Sequence, residues 1–191
     1  MNVIADNRWR PRYAATMRPT KLAVIFLSLA LFVSSAASSG SLAQQATAPS
    51  KDELTLLYGD HKPVVLSGAE LKAVPHISVT IHNPHTNADE TYFGVRLSDL
   101  LAKMGAPLGS ELHGKALASY IVATGSDGYK AVLALGEIDP GFHPGEVLVA
   151  DMMDGKSLDA HSGSFKLVVT EDKRPARSVR NLVSIELKEA Q

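Results

Sequence analysis

Short apolar segments that end at turn signals recur along most of the chain, and this pattern constrains the fold more than any other feature. Ile77, Val79 and Ile81 alternate with polar residues, as expected for a half-buried strand. An Asp-Gly pair between residues 119–124 and 129–135 predicts a β-hairpin. Strands do not alternate with long helical segments, which argues against a doubly wound parallel sheet. We therefore predict an α+β domain with a mixed, mostly antiparallel sheet and short helices.

The ends of the predicted helices are marked by capping residues. Ser67, with a glutamate three residues later, has the spacing of a capping box. Ser98 is the expected N-cap of a second helix, which ends at Gly105. Between these helices, residues 83–90 are polar and predict a loop or a wide hairpin connection, and Gly94 is expected to turn the chain after a short extended run.

The sequence contains no cysteine. A fold without disulfides depends on its apolar core, and a domain of about 150 residues buries roughly 70% of its unfolded surface, which is sufficient. The same composition excludes cysteine nucleophiles, cysteine zinc sites and iron–sulfur clusters.

Residues 1–43 have the organisation of a secretory signal peptide. Basic residues precede an apolar run at residues 22–33, and Ser41-Leu42-Ala43 fits the small-x-small pattern before a cleavage site. This run is shorter than the roughly 20 residues of a membrane-spanning helix, so we expect no stable membrane anchor after cleavage. Residues 44–52 are predicted to be a flexible leader, and residues 53–191 a single domain in the periplasm or outside the cell.

The charge balance bears on the class of partner. The whole chain has a formal net charge of −1, and most charges in the predicted signal peptide are basic, so the remaining domain is more acidic. An acidic domain argues against nucleic acid or an anionic membrane as the main partner.

Three histidines lie close together in the sequence, namely His76, His82 and His85. Converging imidazole nitrogens would bind Zn²⁺ or Cu²⁺. The spacing matches no established metal-binding motif, and solvated positions on an outer face and a loop explain these histidines better. A metal site is therefore the weaker hypothesis.

Four positive charges lie within eight consecutive residues, at Lys173, Arg174, Arg177 and Arg180. The planar guanidinium group suits phosphate or carboxylate, although basic residues beside an edge strand also prevent edge-to-edge pairing. Tyr129 follows the Asp-Gly turn and is a candidate hydrogen-bond donor or general acid in a cleft. The alternative for Tyr129 is a packing residue with a solvated hydroxyl group.

Five segments, taken in order, resemble the molybdopterin-binding oxidoreductase domain of the sulfite oxidase family. Residues 92–101 resemble its aromatic-x-Gly-Val-x-Leu-x-Asp-Leu-Leu segment, and residues 126–129 resemble its Asp-Gly-Tyr turn. Residues 147–158, 163–169 and 177–182 resemble its last three strand motifs. The resemblance implies this family's fold and a pocket for molybdopterin or another anionic ligand. It further implies that Tyr129 lies beside the substrate and that the basic segment contacts the anion.

The sequence departs from this family at the metal ligand. In the family a cysteine thiolate ligates molybdenum shortly before the first of these segments, where this chain has His82 or Asn83. Imidazole is a poor substitute for a soft thiolate, and Ser164 and Lys166 replace the usual proline and arginine. We therefore expect a domain that is not a molybdenum catalyst and that binds a small anion or a periplasmic redox partner. The alternative is a divergent molybdopterin-dependent oxidoreductase.

Overall fold

The computed structural model describes residues 52–190, so the predicted signal peptide and nearly all of the predicted leader lie outside the described residues. The strands and helices, in chain order, are β1 (Glu53–Tyr58), β2 (Val64–Ser67), α1 (Gly68–Lys72), β3 (Ile77–Asn83), β4 (Ala88–Arg96), α2 (Leu97–Lys103), β5 (Ser119–Gly125), β6 (Lys130–Ala134), β7 (Val147–Met153), β8 (Lys156–Ser157), β9 (Lys166–Val169) and β10 (Leu182–Glu189). Short 3₁₀ segments lie at Gly109–Glu111, Gly114–Ala118, Leu135–Glu137 and Pro175–Arg177. Within residues 52–190, no helix is long and apolar enough to cross a membrane.

The strands form two five-stranded sheets. The first has the order β2-β1-β10-β5-β6, in which β1 and β10 are parallel and the other neighbours antiparallel. The second has the order β3-β4-β7-β8, and β9 pairs with β7 on the same edge as β8. All of its pairings are antiparallel. The prediction of an α+β fold with mixed, mostly antiparallel sheets is confirmed.

The central strand β7 is buried on both faces, which explains its continuous apolar sequence. Val147 and Val149 belong to the main core, which also receives the apolar faces of β10 and both helices. Leu148 and Ala150 point the other way and join a smaller cluster around the buried Tyr92. Side chains alternate along β9 in the same manner, so this second face also carries Lys166.

Local signals predict the helix ends only in part. The capping box at Ser67 is confirmed, since its hydroxyl accepts from the backbone amide of Glu70 and the Glu70 carboxylate accepts from Ser67. The prediction that Ser98 is an N-cap is wrong, because α2 begins one residue earlier, at Leu97. Gly105 has a φ of 77°, as expected for the residue that follows a helix.

Two predictions about β3 and β4 are corrected by the strand pairing. The loop predicted over residues 83–90 is too long, because the turn covers only residues 84–87 and the strands continue on both sides. The polar residues at this tip are exposed or half-buried, so they pair as strands without entering the core. Gly94 does not turn the chain but lies inside β4 at a register shift. A Cβ atom there would lie 2.2 Å from the carbonyl oxygen of Val149, so only glycine permits this approach.

Candidate functional site

A cleft of about 770 Å³ lies beside the second sheet and is formed by three parts of the chain. The first is the hairpin of β3 and β4, which contributes residues 80–85, Glu90 and Tyr92. The second is the turn between β5 and β6, which contributes Asp127 and Tyr129. The third is β9 with the basic segment after it, from Lys166 to Arg180. The cleft therefore brings together the predicted tyrosine, part of the basic segment and two of the three histidines.

Tyr129 lines the cleft, but its hydroxyl group already has a partner. The Asp-Gly turn places it there, with Gly128 at a φ of 84° and the Tyr129 amide donating to the Asp127 carboxylate at 2.9 Å. The Tyr129 hydroxyl donates to the carbonyl oxygen of Ala176 at 2.5 Å, while 49% of the residue remains exposed. This tyrosine thus joins the hairpin to the basic segment and presents its ring to the cleft.

The four basic residues of the segment have three different environments in the structure. Arg177 is not among the residues that line the cleft, because its guanidinium donates to both Asp172 oxygens at 2.9 and 2.6 Å and to Glu137 at 2.8 Å. The hydrogen bonds to Asp172, and to a smaller extent the hydrogen bond to Glu137, raise the pKa of Arg177. Arg174 is exposed and also outside the lining, whereas Lys173 and Arg180 face the cleft. Arg177 was predicted to contact the anion, but in the structure its guanidinium is ion-paired with Asp172 and Glu137.

A hydrogen-bonded chain at the cleft was not predicted from the sequence. The Lys166 ammonium donates to the Tyr92 hydroxyl at 2.6 Å, and that hydroxyl donates to Glu90 at 2.6 Å. Asn83 donates to the other Glu90 oxygen, also at 2.6 Å. The ammonium nitrogen also lies 4.3 Å from the centroid of the Tyr92 ring. The replacement of an expected arginine by Lys166 was the one sequence signal for this group.

Burial changes the proton affinities in this chain of groups. Burial lowers the pKa of Lys166, the Glu90 carboxylate opposes that change, and the positive charge of Arg180 adds to it. Burial and the hydrogen bond to Glu90 raise the pKa of Tyr92. The tyrosine therefore keeps its proton at physiological pH, while the lysine releases one more readily than a solvated lysine.

The carboxylates that line the cleft accept hydrogen bonds from other groups of the protein, whereas the lysines and the arginine that line it form no ion pair with a carboxylate of the described residues. Glu90 accepts from Tyr92 and Asn83, Asp127 from a backbone amide, and Asp172 from Arg177. Within residues 52–190, three cationic side chains line the cleft without an ion pair to a carboxylate: Lys166, Lys173 and Arg180. Arg180 instead contacts the Nε2 atom of His161. The arrangement leaves positive charge available to an anion.

The structure does not bring the three histidines to one point. His76 lies outside the cleft lining, where its Nδ1 donates to the Val74 carbonyl at 2.7 Å and its Nε2 lies 3.3 Å from Asp151. His82 and His85 line the cleft, and His82 is bonded to Asp89 across the hairpin at 2.9 Å. Among the described residues, no group of three or more metal-ligating side chains is placed to hold an ion. The structure gives the three-histidine metal site no support.

Comparison with known proteins identifies the family. A family described as "Oxidoreductase molybdopterin binding domain" matches residues 45–191. The chain belongs to this family. The match confirms the resemblance that the five sequence motifs indicated, whereas no curated protein matches the chain.

A solved structure shares the fold of this domain. The structure is similar to the sulfane dehydrogenase SoxCD from Paracoccus pantotrophus, with a TM-score of 0.56 and 18% sequence identity. The similarity covers 74% of this chain and 39% of that chain, so this chain spans about two fifths of its length. At this identity the likeness shows the fold alone.

The residues of the cleft do not fit the molybdenum of a molybdopterin-binding domain. The chain has no thiolate, and the side chains nearest the expected ligand position are already bonded. Asn83 donates to Glu90 and accepts from the His85 amide at 2.9 Å, and His82 is bonded to Asp89. An amide nitrogen that donates a hydrogen bond has no lone pair for a metal. The three unpaired cations do fit the anionic part of an organic ligand.

Proposed function

We propose that this domain binds a small anionic ligand in the cleft and is not a molybdenum catalyst. The charge arrangement supports binding, because the acids are held by other groups of the chain while Lys166, Lys173 and Arg180 are left without carboxylate partners. A cation in a concave, partly desolvated site attracts an anion more strongly than one on an open surface, since the local dielectric constant is lower.

The size of the cleft agrees with a small-molecule ligand. Its volume of about 770 Å³ lies within the usual range of ligand pockets, roughly 300–1,000 Å³. The Arg180 guanidinium suits a phosphate or carboxylate group, to which it donates two parallel hydrogen bonds. The exposed ring face of Tyr129 and the turn after β3 supply apolar contact for the remainder of such a ligand.

Titration calorimetry with phosphate and pyrophosphate tests the proposal, with two arginine variants as a matched pair. Arg180→Ala should weaken binding about 10- to 100-fold, because a hydrogen bond to a charged group contributes about 1.5–3 kcal/mol. Arg174→Ala should change the affinity by less than about threefold, since that side chain lies outside the cleft lining. An equal loss in both variants would indicate general electrostatic attraction and contradict a defined site.

Elemental analysis tests the second half of the proposal. Protein produced in a host that makes molybdopterin should contain molybdenum well below one atom per chain, because no soft anionic donor is present. One molybdenum atom per chain would favour the alternative, a divergent molybdopterin-dependent oxidoreductase.

We also propose that the chain is exported to the periplasm or beyond. The proposal is supported by the basic residues, short apolar run and small residues that end at Ala43.

A further inference from the structure

One ammonium group of the cleft is placed for covalent chemistry as well as for charge attraction. Lys166 extends from β9 onto the face of the second sheet that carries Tyr92, and it lines the cleft together with Arg180. No described carboxylate pairs with it directly, because the Tyr92 hydroxyl stands between Lys166 and Glu90. A partly buried lysine without an ion pair is unusual unless it serves a function.

The surroundings of this lysine are those that make an amine nucleophilic. A lysine is activated when it is desolvated or when another cation lies nearby, since both favour the neutral amine. Burial and the positive charge of Arg180 act in this direction on Lys166, whereas the carboxylates of Glu90 and Asp159 act against it, and the net effect is a lowered pKa of Lys166. The neutral amine has the lone pair that attack on an electrophile requires.

Tyr92 and Glu90 provide a route for the proton that the ammonium must lose. The Tyr92 hydroxyl accepts from Lys166 and donates to Glu90, each at 2.6 Å. If the hydroxyl passes its proton to Glu90 and takes one from Lys166, the tyrosine is unchanged and the proton has moved to the carboxylate. The raised pKa of Tyr92 agrees with a relay that is never left ionised.

We propose that Lys166 forms a reversible imine with the carbonyl group of an anionic aldehyde or ketone. The inference rests on the proposed anion binding and names the ligand class, in which Arg180 and Lys173 hold the anionic group. The neutral amine attacks the carbonyl carbon, the new C–N bond forms, and the carbonyl oxygen takes a proton from the attacking nitrogen. Glu90 then returns its proton through Tyr92 to the hydroxyl of this adduct, which leaves as water. The net change is ammonium plus carbonyl to protonated imine plus water, without oxidation or reduction.

Borohydride trapping tests this proposal on the unmodified domain. The probe is pyridoxal phosphate, an aldehyde that carries a phosphate group, and its uncharged counterpart is pyridoxal. At an equimolar amount of probe near pH 7, reduction followed by peptide mass spectrometry should find Lys166 modified at least tenfold more than Lys188 of β10, whose side chain is 41% exposed and ion-paired with Glu186. Pyridoxal should modify Lys166 at least tenfold less than pyridoxal phosphate does. Lys166→Arg should remove the adduct, and Lys188→Arg should leave it.

The outcomes separate this inference from the proposed function. If phosphate binds by calorimetry but Lys166 is modified no faster than Lys188, imine formation is refuted and anion binding stands. If pyridoxal and its phosphate modify Lys166 equally and phosphate does not bind, the anion site is refuted, and the anionic ligand class falls with it. Tyr92→Phe should slow imine formation at least fivefold near pH 7, whereas a merely structural Tyr92 would leave the initial rate of trapping unchanged.

Discussion

Removal of the Tyr92 hydroxyl group should lower the stability of the whole domain, because this hydroxyl hydrogen-bonds to two charged groups. Tyr92 is 1% exposed, accepts from the Lys166 ammonium and donates to the Glu90 carboxylate. Phenylalanine keeps the ring and its packing, so the change isolates these two hydrogen bonds. Each hydrogen bond to a charged group contributes about 1.5–3 kcal/mol when its partners are buried.

The expected loss is smaller than the sum of two such bonds. Lys166 and Glu90 are only partly buried, so cleft water replaces some of what the hydroxyl provides. We expect Tyr92→Phe to lower the free energy of unfolding by about 1.5–3 kcal/mol at neutral pH. For a domain of this size that corresponds to a fall in Tm of roughly 5–12 °C. Urea and thermal unfolding followed by circular dichroism measure both quantities.

The stability difference between the unmodified protein and Tyr92→Phe should depend on pH. A loss of packing alone would give a difference that does not change with pH. The pKa of Tyr92 is raised in the folded state by burial and by Glu90, above its ordinary value of about 10. The stability that this proton contributes is complete below pH 10 and is lost as the pH rises above it, at up to about 1.4 kcal/mol per pH unit. Since phenylalanine does not titrate, the gap between the two proteins should narrow above pH 10.

Two results would refute the reasoning. A gap that stays constant from pH 8 to pH 11 would mean that the hydroxyl proton is not held by the fold. A change in Tm below about 2 °C at neutral pH would mean that water satisfies both charged partners fully. The control is Tyr120→Phe in β5, whose hydroxyl makes no hydrogen bond within residues 52–190 and whose loss should leave Tm within about 2 °C.

The remaining predictions concern backbone fit, charge and processing. Gly94→Ala should destabilise the domain by about 3 kcal/mol or more in urea unfolding, because its Cβ would lie 2.2 Å from a backbone oxygen that cannot move aside. Compared with the unmodified protein, Lys166→Met should be more stable near pH 7 than near pH 11. Because the pKa of Lys166 is lowered in the folded state, the unmodified protein loses stability as the pH falls through that pKa. An equal stability difference between the two proteins at both pH values would contradict this. Arg177→Ala should weaken phosphate binding in calorimetry because it exposes the charge of Asp172 to the cleft, and Asp172→Asn in that background should restore affinity if the effect is indirect. Intact mass of protein from a periplasmic fraction should correspond to cleavage after Ala43, and an uncleaved mass there would count against the proposed signal peptide.

The fold was predictable because its signals are local. Turns and helix caps are determined by a few neighbouring residues and can be recognised from them. Examples are the capping box of Ser67, the Asp-Gly hairpin before Tyr129 and the glycine after α2. Alternation of apolar residues then assigns strand faces. The failures at Gly94 and at residues 83–90 come from strand pairing, which is decided by the partner strand and not by the segment itself.

The site was harder to predict because its contacts join distant segments. Lys166 and Tyr92 belong to strands that are not neighbours in the sheet, and they meet because both place a side chain on the same face, on either side of β7. No local sequence spacing predicts the contact between Lys166 and Tyr92. Arg177 was hard to predict for the same reason. Its residue type suggested a contact with an anionic ligand, but in the structure it binds Asp172 and Glu137, and Glu137 is 40 residues away in sequence.

The pairing of Arg177 explains how a cleft that contains carboxylates can leave lysine and arginine side chains without carboxylate partners. Asp172 lies in the cleft lining, and without a partner its charge would cancel that of a neighbouring cation. By binding both oxygens of Asp172 from outside the lining, Arg177 neutralises the acid without occupying the space of a ligand. Glu90 is likewise engaged by Tyr92, which leaves Lys166 without a direct counter-ion. The chain has no thiolate to hold molybdenum but has an amine in the cleft, and the proposed carbonyl capture rests on that amine.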